Sequence, residues 1–138
     1  MSDSLKALEA AFRKEPYAQI FGLEIVEIEP GRAVVRMKTT QKMNNIFEMV
    51  HGAAIYSLID SAFELTVNSH GTVAVALSLN VSYLNAAAPG EVLLAEGKEV
   101  NKSPRISACE IRVTGEGGRL VAICQTLAYR KKDPLPFL

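Results

Sequence analysis

The chain has 138 residues, of which 49% are hydrophobic and 22% charged, a size and composition that predict a single folded domain over residues 1–138. Its 15 basic and 15 acidic residues give a formal net charge of +0, which argues against a nucleic-acid-binding module. No apolar run approaches the ~20 residues that cross a bilayer, and the first eight residues lack the apolar core of a signal peptide. We therefore expect a cytoplasmic protein with no nucleic-acid and no membrane partner.

The cysteines and histidines do not form a recognisable metal or redox motif. Cys109 and Cys124 each lie in an alternating apolar segment and are predicted to be buried free thiols. His51 and His70 are not spaced as metal ligands relative to other candidate ligands. We expect no metal site and no cofactor.

The first forty residues predict a helix followed by a β-hairpin. Apolar residues recur at helical spacing in 5–12, with Ser4 as the predicted cap and Pro16 as the end of the helix. Segments 23–28 and 33–39 alternate as strands do, and a Pro-Gly turn joins them.

Residues 49–67 form the longest apolar stretch without strand-like alternation, and they predict a second, longer helix. Its apolar side chains occupy almost every face, as in a helix buried within a domain. Asp60 is the exception, and it is a candidate functional residue. An ionisable group among Ile59, Ala62 and Phe63 needs a partner, a water path or a shifted pKa. The alternative is that Asp60 reaches solvent on a stripe between Tyr56 and Glu64.

In the second half of the chain, residue types alternate with the two-residue period that is typical of strands. Four predicted strands end in a tail whose two prolines oppose regular structure: 73–83, 91–100, 105–114 and 119–130, then 131–138. The resulting α-β-β-α-β-β-β-β order predicts an α+β protein in which a curved antiparallel sheet of about six strands wraps one long buried helix, plus a short N-terminal helix. This is the hotdog fold. Its edge strands would be unpaired in a monomer, so we expect self-association about a two-fold axis.

A short motif in the middle of the chain resembles the signature of a known family. Asn45 is followed six residues later by His51-Gly52-Ala53-Ala54, and Asp60 lies nine residues beyond His51. This pattern is similar to that of hotdog thioesterases of the phenylacetate-pathway (PaaI-like) type. The resemblance implies hydrolysis of acyl-coenzyme A thioesters to free acid and coenzyme A, with coenzyme A a part of the substrate and no cofactor, in a homodimer that pairs further into a homotetramer. Ala53 and Glu48 depart from the family pattern at positions where glycine is usual.

The residue chemistry of the motif supports a reaction at a carbonyl group. Gly52 begins the buried helix, where free N–H groups carry partial positive charge, and without a side chain its N–H can approach a substrate oxygen closely. The alternative is that Gly52 only permits tight packing. Asp60 could act as a general base on water or as a nucleophile, and the sequence leaves both routes open.

The spacing of His51 and Asp60 places them on opposite faces of the helix. Nine residues correspond to about 13.5 Å along the axis and two and a half turns. The side chains of His51 and Asp60 therefore cannot meet at one small reacting group within one chain. The sequence therefore predicts a composite site at a dimer interface, with Gly52 and Asn45 from one protomer and Asp60 from the other.

Two further motif residues have predicted supporting roles. Asn45 would hold the attacking water or the leaving sulfur, and its alternative role is ordinary turn formation. His51 would fix the loop and Asn45 rather than act as a base, and a purely structural role at the helix start is the alternative. Lys102 and Arg105 lie in one turn and could bind coenzyme A phosphates, against the alternative of a solvated turn. Simple alternation puts Ser78 on the strand face of Ala74 and Ala76, where it could contact substrate.

Three functions remain open at this stage. The first is an acyl-CoA thioesterase, and the second is a non-catalytic acyl-CoA-binding or regulatory hotdog protein. A hotdog hydratase is weaker, because no paired Asp–His dehydratase motif is present.

Overall fold

A computed structural model describes all residues, 1–138, and contains three helices and six strands. The helices are α1 (Asp3–Arg13), α2 (Pro16–Ile20) and α3 (Gly52–Asn68); the strands are β1 (Glu24–Glu29), β2 (Arg32–Lys38), β3 (Thr72–Tyr83), β4 (Val92–Lys102), β5 (Ile106–Thr114) and β6 (Leu120–Pro134); 3-10 turns lie at Gln41–Met43 and Glu116–Gly118. None of the helices combines the length and the hydrophobicity required to span a bilayer.

The six strands form one antiparallel sheet in the order β1-β2-β4-β5-β6-β3. Helix α3 packs across strands β2 to β5, and its Leu58, Ile59, Ala62 and Phe63 side chains are at most 1% exposed. Close approach of helix and sheet depends on Gly97 of β4, where a Cβ atom would lie only 2.4 Å from the Thr66 hydroxyl. The predicted hotdog fold is confirmed, including the single long helix inside a curved sheet.

One stripe of α3 remains open in the chain. Tyr56, Asp60 and Glu64, spaced one turn apart, are all exposed. The prediction that Asp60 is enclosed by its apolar neighbours is therefore wrong for the single chain. The reason is geometric: β3 is the last strand of the sheet, so nothing covers the part of α3 beyond it.

Three local features differ from the sequence prediction. Ser2, not Ser4, caps α1, because the Ser2 hydroxyl accepts the Leu5 N–H at 3.2 Å. The short helix α2 was not predicted, although Pro16 at its first turn is typical of a helix start. The tail predicted to be irregular continues β6 to Pro134, because it pairs along the beginning of β3.

Both cysteines are buried and free, as predicted. Burial raises the pKa of the Cys124 thiol to about 11, so it is a neutral thiol near pH 7. His70 at the end of α3 contacts the Glu99 carboxylate at 2.9 Å, and Arg130 contacts the same carboxylate at 3.1 Å. These contacts tie the end of α3 to β4 and β6.

Candidate active site

The start of α3 carries one backbone N–H that has no partner. His51 is the N-cap: its Nδ1 accepts the Ala53 N–H at 2.8 Å, and its carbonyl oxygen accepts the N–H groups of Ala54 and Ile55. Of the first four N–H groups of the helix, only that of Gly52 remains free, and it lies where the helix dipole is positive. The Gly52 N–H is therefore available to an oxygen of a ligand.

The Asn45 side chain shapes the loop that precedes the helix. Its Oδ1 accepts the N–H groups of Phe47 and Met49, at 2.8 and 3.2 Å, and its own N–H bonds to the Met49 carbonyl at 2.7 Å. Asn45 therefore does form a turn, which was its alternative role in the sequence analysis. Since the turn uses only Oδ1, the Nδ2 group can still donate to a ligand.

Glu48, one residue before the end of this turn, has a φ of 61°. This is the left-handed region, which glycine adopts easily and other residues adopt at a cost. A glycine at this position would adopt the conformation without that cost. The Glu48 side chain is exposed, and it does not line the pocket that contains Gly52.

Gly52 and Asn45 line one pocket of about 350 Å³. Tyr83, at the end of β3, forms the opposite wall: its hydroxyl donates to the Gly52 carbonyl at 3.1 Å, and its ring lies 3.4 Å from the position that a Cβ atom of residue 52 would take. The remaining wall is largely apolar, with Phe47, Met49, Ile55 and Leu84 among its members. The pocket combines free N–H donors with apolar walls, as a site for a carbonyl compound requires.

Asp60 lines a different pocket, of about 260 Å³, between α3 and β3. Although Asp60 is exposed in the chain, partial desolvation of its carboxyl by the surrounding protein raises its pKa above the ordinary value, and the nearby Glu15 carboxylate adds to the shift. No hydrogen-bond donor contributes to the shift in the opposite direction. Asp60 is thus a carboxylate of raised basicity that faces open space.

Glu64, one turn further along α3, lines the same pocket. Partial burial of the Glu64 carboxyl and the neighbouring Glu15 carboxyl raise the pKa of Glu64 to about 8. Glu64 therefore keeps its proton near pH 7 and does not add a second negative charge beside Asp60.

The pockets of Gly52 and Asp60 share no residue. A single chain therefore does not bring the N–H of Gly52 and the carboxylate of Asp60 to one reacting group.

The three predicted substrate contacts lie elsewhere on the surface. Between Ala76 and Ser78 the β3–β6 register shifts, so that Ala76 pairs with the buried Ala128 and Ser78 with the exposed Leu127. This irregularity moves Ser78 to the outer face of the sheet, and the expectation that it shares a face with Ala76 is wrong. There Ser78 lines a pocket of about 390 Å³ with polar neighbours that include Asn80, Glu110 and Gln125.

Lys102 is exposed at the end of β4. Arg105, in the turn that follows, is half-buried, and its guanidinium donates to the Arg130 carbonyl at 3.3 Å. Both retain free N–H groups toward solvent, and their predicted contact with phosphate stays a prediction.

Sequence reasoning did not include Tyr83 and Glu64 among the site residues. Tyr83 has a signal in the sequence, since an aromatic residue ends the long strand just before the turn at 88–90. Glu64 lies one turn beyond Asp60, but its raised pKa comes first from partial burial and then from Glu15, which is distant in sequence. No cluster of three or more His, Cys, Asp or Glu side chains is arranged to hold a metal ion.

A hotdog sheet around one helix, with a free N–H at the helix start and a carboxylate two turns later, defines a class of protein that acts on thioesters. The family model of the thioesterase superfamily matches residues 47–122. The chain belongs to the thioesterase superfamily, and it is a thioester hydrolase.

Curated relatives cover most of the chain. It is 32% identical over 125 residues to a putative esterase of Archaeoglobus fulgidus, covering 91% of this chain and 81% of the relative. It is 27% identical over 121 residues to the acyl-coenzyme A thioesterase PaaI of Escherichia coli, covering 88% and 86%. The resemblance to PaaI-like thioesterases inferred from the motif is confirmed.

Solved structures agree with the fold along nearly the whole chain. The Escherichia coli PaaI protein superimposes with a TM-score of 0.91 at 25% identity and covers 95% of each chain. A hypothetical thioesterase protein of Streptococcus pneumoniae, solved with coenzyme A, gives a TM-score of 0.78 at 25% identity, covering 82% of this chain and 88% of that one.

Proposed function

We propose that this protein hydrolyses an acyl-CoA thioester to the free acid and coenzyme A, at a site that two copies of the chain share. One observation carries the proposal: the free Gly52 N–H and the basic Asp60 carboxylate lie in separate pockets of the chain. A relative with the same fold is named an acyl-coenzyme A thioesterase, and another was solved with coenzyme A.

Each group has a role in the proposed reaction. The thioester carbonyl oxygen accepts the Gly52 N–H, which stabilises the negative charge that develops on this oxygen. Asp60 takes a proton from water as the water oxygen attacks the carbonyl carbon. The C–S bond of the tetrahedral intermediate then breaks, the acyl group leaves as the acid, and the protonated Asp60 returns its proton to the coenzyme A sulfur. Water is the only co-reactant, in keeping with the expectation of no cofactor.

A direct attack by the Asp60 carboxylate, with an anhydride intermediate, is the second route. A single turnover in ¹⁸O-labelled water separates the two routes. General-base catalysis puts ¹⁸O from the solvent into the acid in the first turnover, whereas the anhydride route puts an unlabelled Asp60 oxygen there when water attacks the Asp60 carbonyl. We expect ¹⁸O in the product, because the raised pKa of Asp60 favours proton transfer near neutral pH.

The free edge of the sheet supports a shared site. β3 pairs only with β6, so its other side has unpaired backbone groups, and Leu77 and Tyr83 along it are 56% and 50% exposed. Edge-to-edge pairing of two β3 strands would cover this surface, together with the open stripe of α3. It would also bring the Asp60 pocket of one copy toward the Gly52 pocket of its partner. Assembly of two such dimers into a tetramer is the family expectation.

Asn45 and His51 position the reacting groups in this proposal. His51 accepts the Ala53 N–H through Nδ1, which leaves the Gly52 N–H as the free donor, and this makes His51 a positioning residue. The Nδ2 group of Asn45 donates to the attacking water or to the leaving sulfur. Lys102 and Arg105 are the proposed contacts for coenzyme A phosphates, and Ser78 is a proposed substrate contact.

Release of free thiol from a panel of acyl-CoAs tests the proposal. We expect turnover by the native protein, and a loss of about 10²- to 10⁴-fold in kcat for Asp60→Asn, the usual contribution of a general base. Asp133→Asn, the same change at an exposed carboxylate near the end of β6, is the matched control and should retain native turnover. Tight binding of acyl-CoA without turnover would instead identify a non-catalytic acyl-CoA-binding protein.

A further inference from the structure

The pocket of Asp60 adjoins a second and larger one. This second pocket has a volume of about 510 Å³ and lies beneath α1 and the C-terminal tail. Glu64, Asn68 and Ala74 line both pockets, so these three residues form the junction between them.

Most of the residues that line the second pocket are apolar, although Lys14 and Glu15 line it as well. Leu8 and Phe12 of α1 are 5% and 4% exposed, Leu65 of α3 is fully buried, and Leu135 of the tail is 4% exposed. Phe137 closes the outer side and is itself 44% exposed. A cavity of this size with such walls suits a hydrocarbon group.

The junction is held in place by the side-chain amide of Asn68. The Asn68 amide donates to the carbonyls of Glu64 and Ala74, at 2.9 and 3.2 Å, and accepts the Ala74 N–H at 2.9 Å. This amide therefore holds the end of α3 at a set distance from β3. Partial burial beside the Glu15 carboxyl raises the pKa of Glu64 to about 8, which keeps Glu64 protonated near pH 7. An apolar chain could pass this point without meeting a second carboxylate on α3.

We propose that the cavity beneath α1 and the tail binds the distal part of an apolar acyl group whose thioester lies at Asp60. Asp60 and Glu64 are four residues apart, or about 6 Å along the helix. An extended acyl chain of roughly six carbons therefore reaches the junction, and longer chains enter the cavity. The preferred substrates are medium-length apolar acyl thioesters, and α1 with the tail sets the upper limit of length. This inference rests on the proposed hydrolysis of acyl-CoA.

Two adjacent alanines of α1 provide a matched test. Ala11 is half-buried and lines the cavity, whereas Ala10 is exposed and does not. Leucine is a good helix former at either position, so Ala11→Leu and Ala10→Leu differ chiefly in whether they fill the cavity. Thiol release is measured with butyryl-, octanoyl- and dodecanoyl-CoA.

The native protein should show a kcat/KM for octanoyl-CoA at least tenfold above that for butyryl-CoA. Ala11→Leu should lower the octanoyl-to-butyryl ratio about tenfold, which is the discrimination expected when a pocket loses room for a few methylenes. Ala10→Leu should leave this ratio within twofold of native. Phe137→Ala, which opens the outer wall, should raise the dodecanoyl-to-octanoyl ratio.

The results separate failure of this inference from failure of the proposed function. No hydrolysis of any acyl-CoA would overturn the proposed function and the inference with it. Hydrolysis of butyryl-CoA with no gain for octanoyl-CoA, or equal octanoyl-to-butyryl ratios in the two leucine variants, would overturn the inference alone.

Discussion

The Tyr83 hydroxyl donates a hydrogen bond of 3.1 Å to the carbonyl oxygen of Gly52, and so joins the end of β3 to the first residue of α3. The same peptide region carries the free Gly52 N–H in the pocket. By restraining the Gly52 carbonyl, Tyr83 restricts rotation of the backbone at the helix start. The orientation of the proposed oxyanion donor therefore depends on a residue 31 positions away in the sequence.

Tyr83→Phe should lower kcat without a comparable change in KM. The variant keeps the aromatic wall of the pocket but removes a hydrogen bond worth about 1 kcal/mol, which corresponds to roughly a fivefold loss of rate if the restraint matters mainly in the transition state. Steady-state kinetics with one acyl-CoA measures the split. Tyr129→Phe, on the outer surface of β6, is the control and should leave kcat unchanged. A roughly fivefold rise in KM with a native kcat would show instead that Tyr83 contributes to substrate binding in the ground state.

Glu48→Gly should stabilise the fold without altering turnover. Glu48 holds a φ of 61° that glycine adopts freely, and relief of this conformation outweighs the greater flexibility of glycine in the unfolded chain. We expect a gain of about 0.5–1 kcal/mol in the free energy of unfolding, measured with urea. Glu116→Gly, at an exposed position without a positive φ, should give no gain. A loss of stability in Glu48→Gly would show that the side chain makes a contribution larger than the strain.

Much of the fold is predictable from this sequence because its signals are local. The alternation in 73–83 and the long apolar run before it fix the sheet strands and the buried helix without knowledge of their partners. The motif spacing also places Gly52 at the helix start. These predictions needed only the periodicity of each segment.

The features that sequence reasoning missed depend on contacts between distant segments. The register shift after Ala76 moves Ser78 to the outer face, and alternation along a single strand does not contain it. The effect of Glu15 on the pKa of Glu64 likewise joins two residues that lie far apart in the sequence. Ser2 rather than Ser4 caps α1 because either serine suits a cap, and composition alone does not choose between them.

The acidic limb of the rate profile should report the raised pKa of Asp60. A general base acts only when ionised, so kcat/KM should fall as the pH drops through the pKa of Asp60 in the folded enzyme. Burial raises this pKa above its ordinary 3.8. We therefore expect the midpoint of the limb to lie above pH 3.8, measured by thiol release with an acyl-CoA that is stable over the range. If the residual kcat/KM of Asp60→Asn falls with the same midpoint as that of the native protein, the acidic limb reports the ionisation of another group.

Glu91 should make the fold sensitive to acid. Although burial acts to raise the pKa of Glu91, hydrogen bonds from Arg119 and from the N–H groups of Glu116 and Ala88 lower it below its ordinary 4.5. A lowered pKa stabilises the fold above pH 4.5, and this stabilisation is lost as the pH falls through the pKa of the folded state.

Glu91→Gln should therefore cost about 2 kcal/mol in the free energy of unfolding at pH 7. The difference from native should shrink below pH 4.5, where Glu91 takes up a proton in the unfolded chain first. Urea unfolding at a series of pH values measures both effects. The exposed Glu110→Gln is the control and should follow the native curve. A difference that does not depend on pH would attribute the loss to packing of the Glu91 side chain.

A site shared by two chains predicts that two inactive variants recover activity when they are mixed, whereas a site within one chain does not. Two inactive variants are prepared, one with Asn45→Ala and Gly52→Val, the other with Asp60→Asn. The valine at residue 52 would crowd the Tyr83 ring, since even its Cβ atom would lie 3.4 Å from the ring. If each site takes Gly52 from one chain and Asp60 from the other, a heterodimer contains one site with both lesions and one intact site. Co-refolding should then restore about half of the native activity per heterodimer.

Subunit exchange is verified with chains of different mass, so that a lack of recovery is informative. Exchange without recovery, or full activity in a protein that sediments as a monomer, would contradict the shared site.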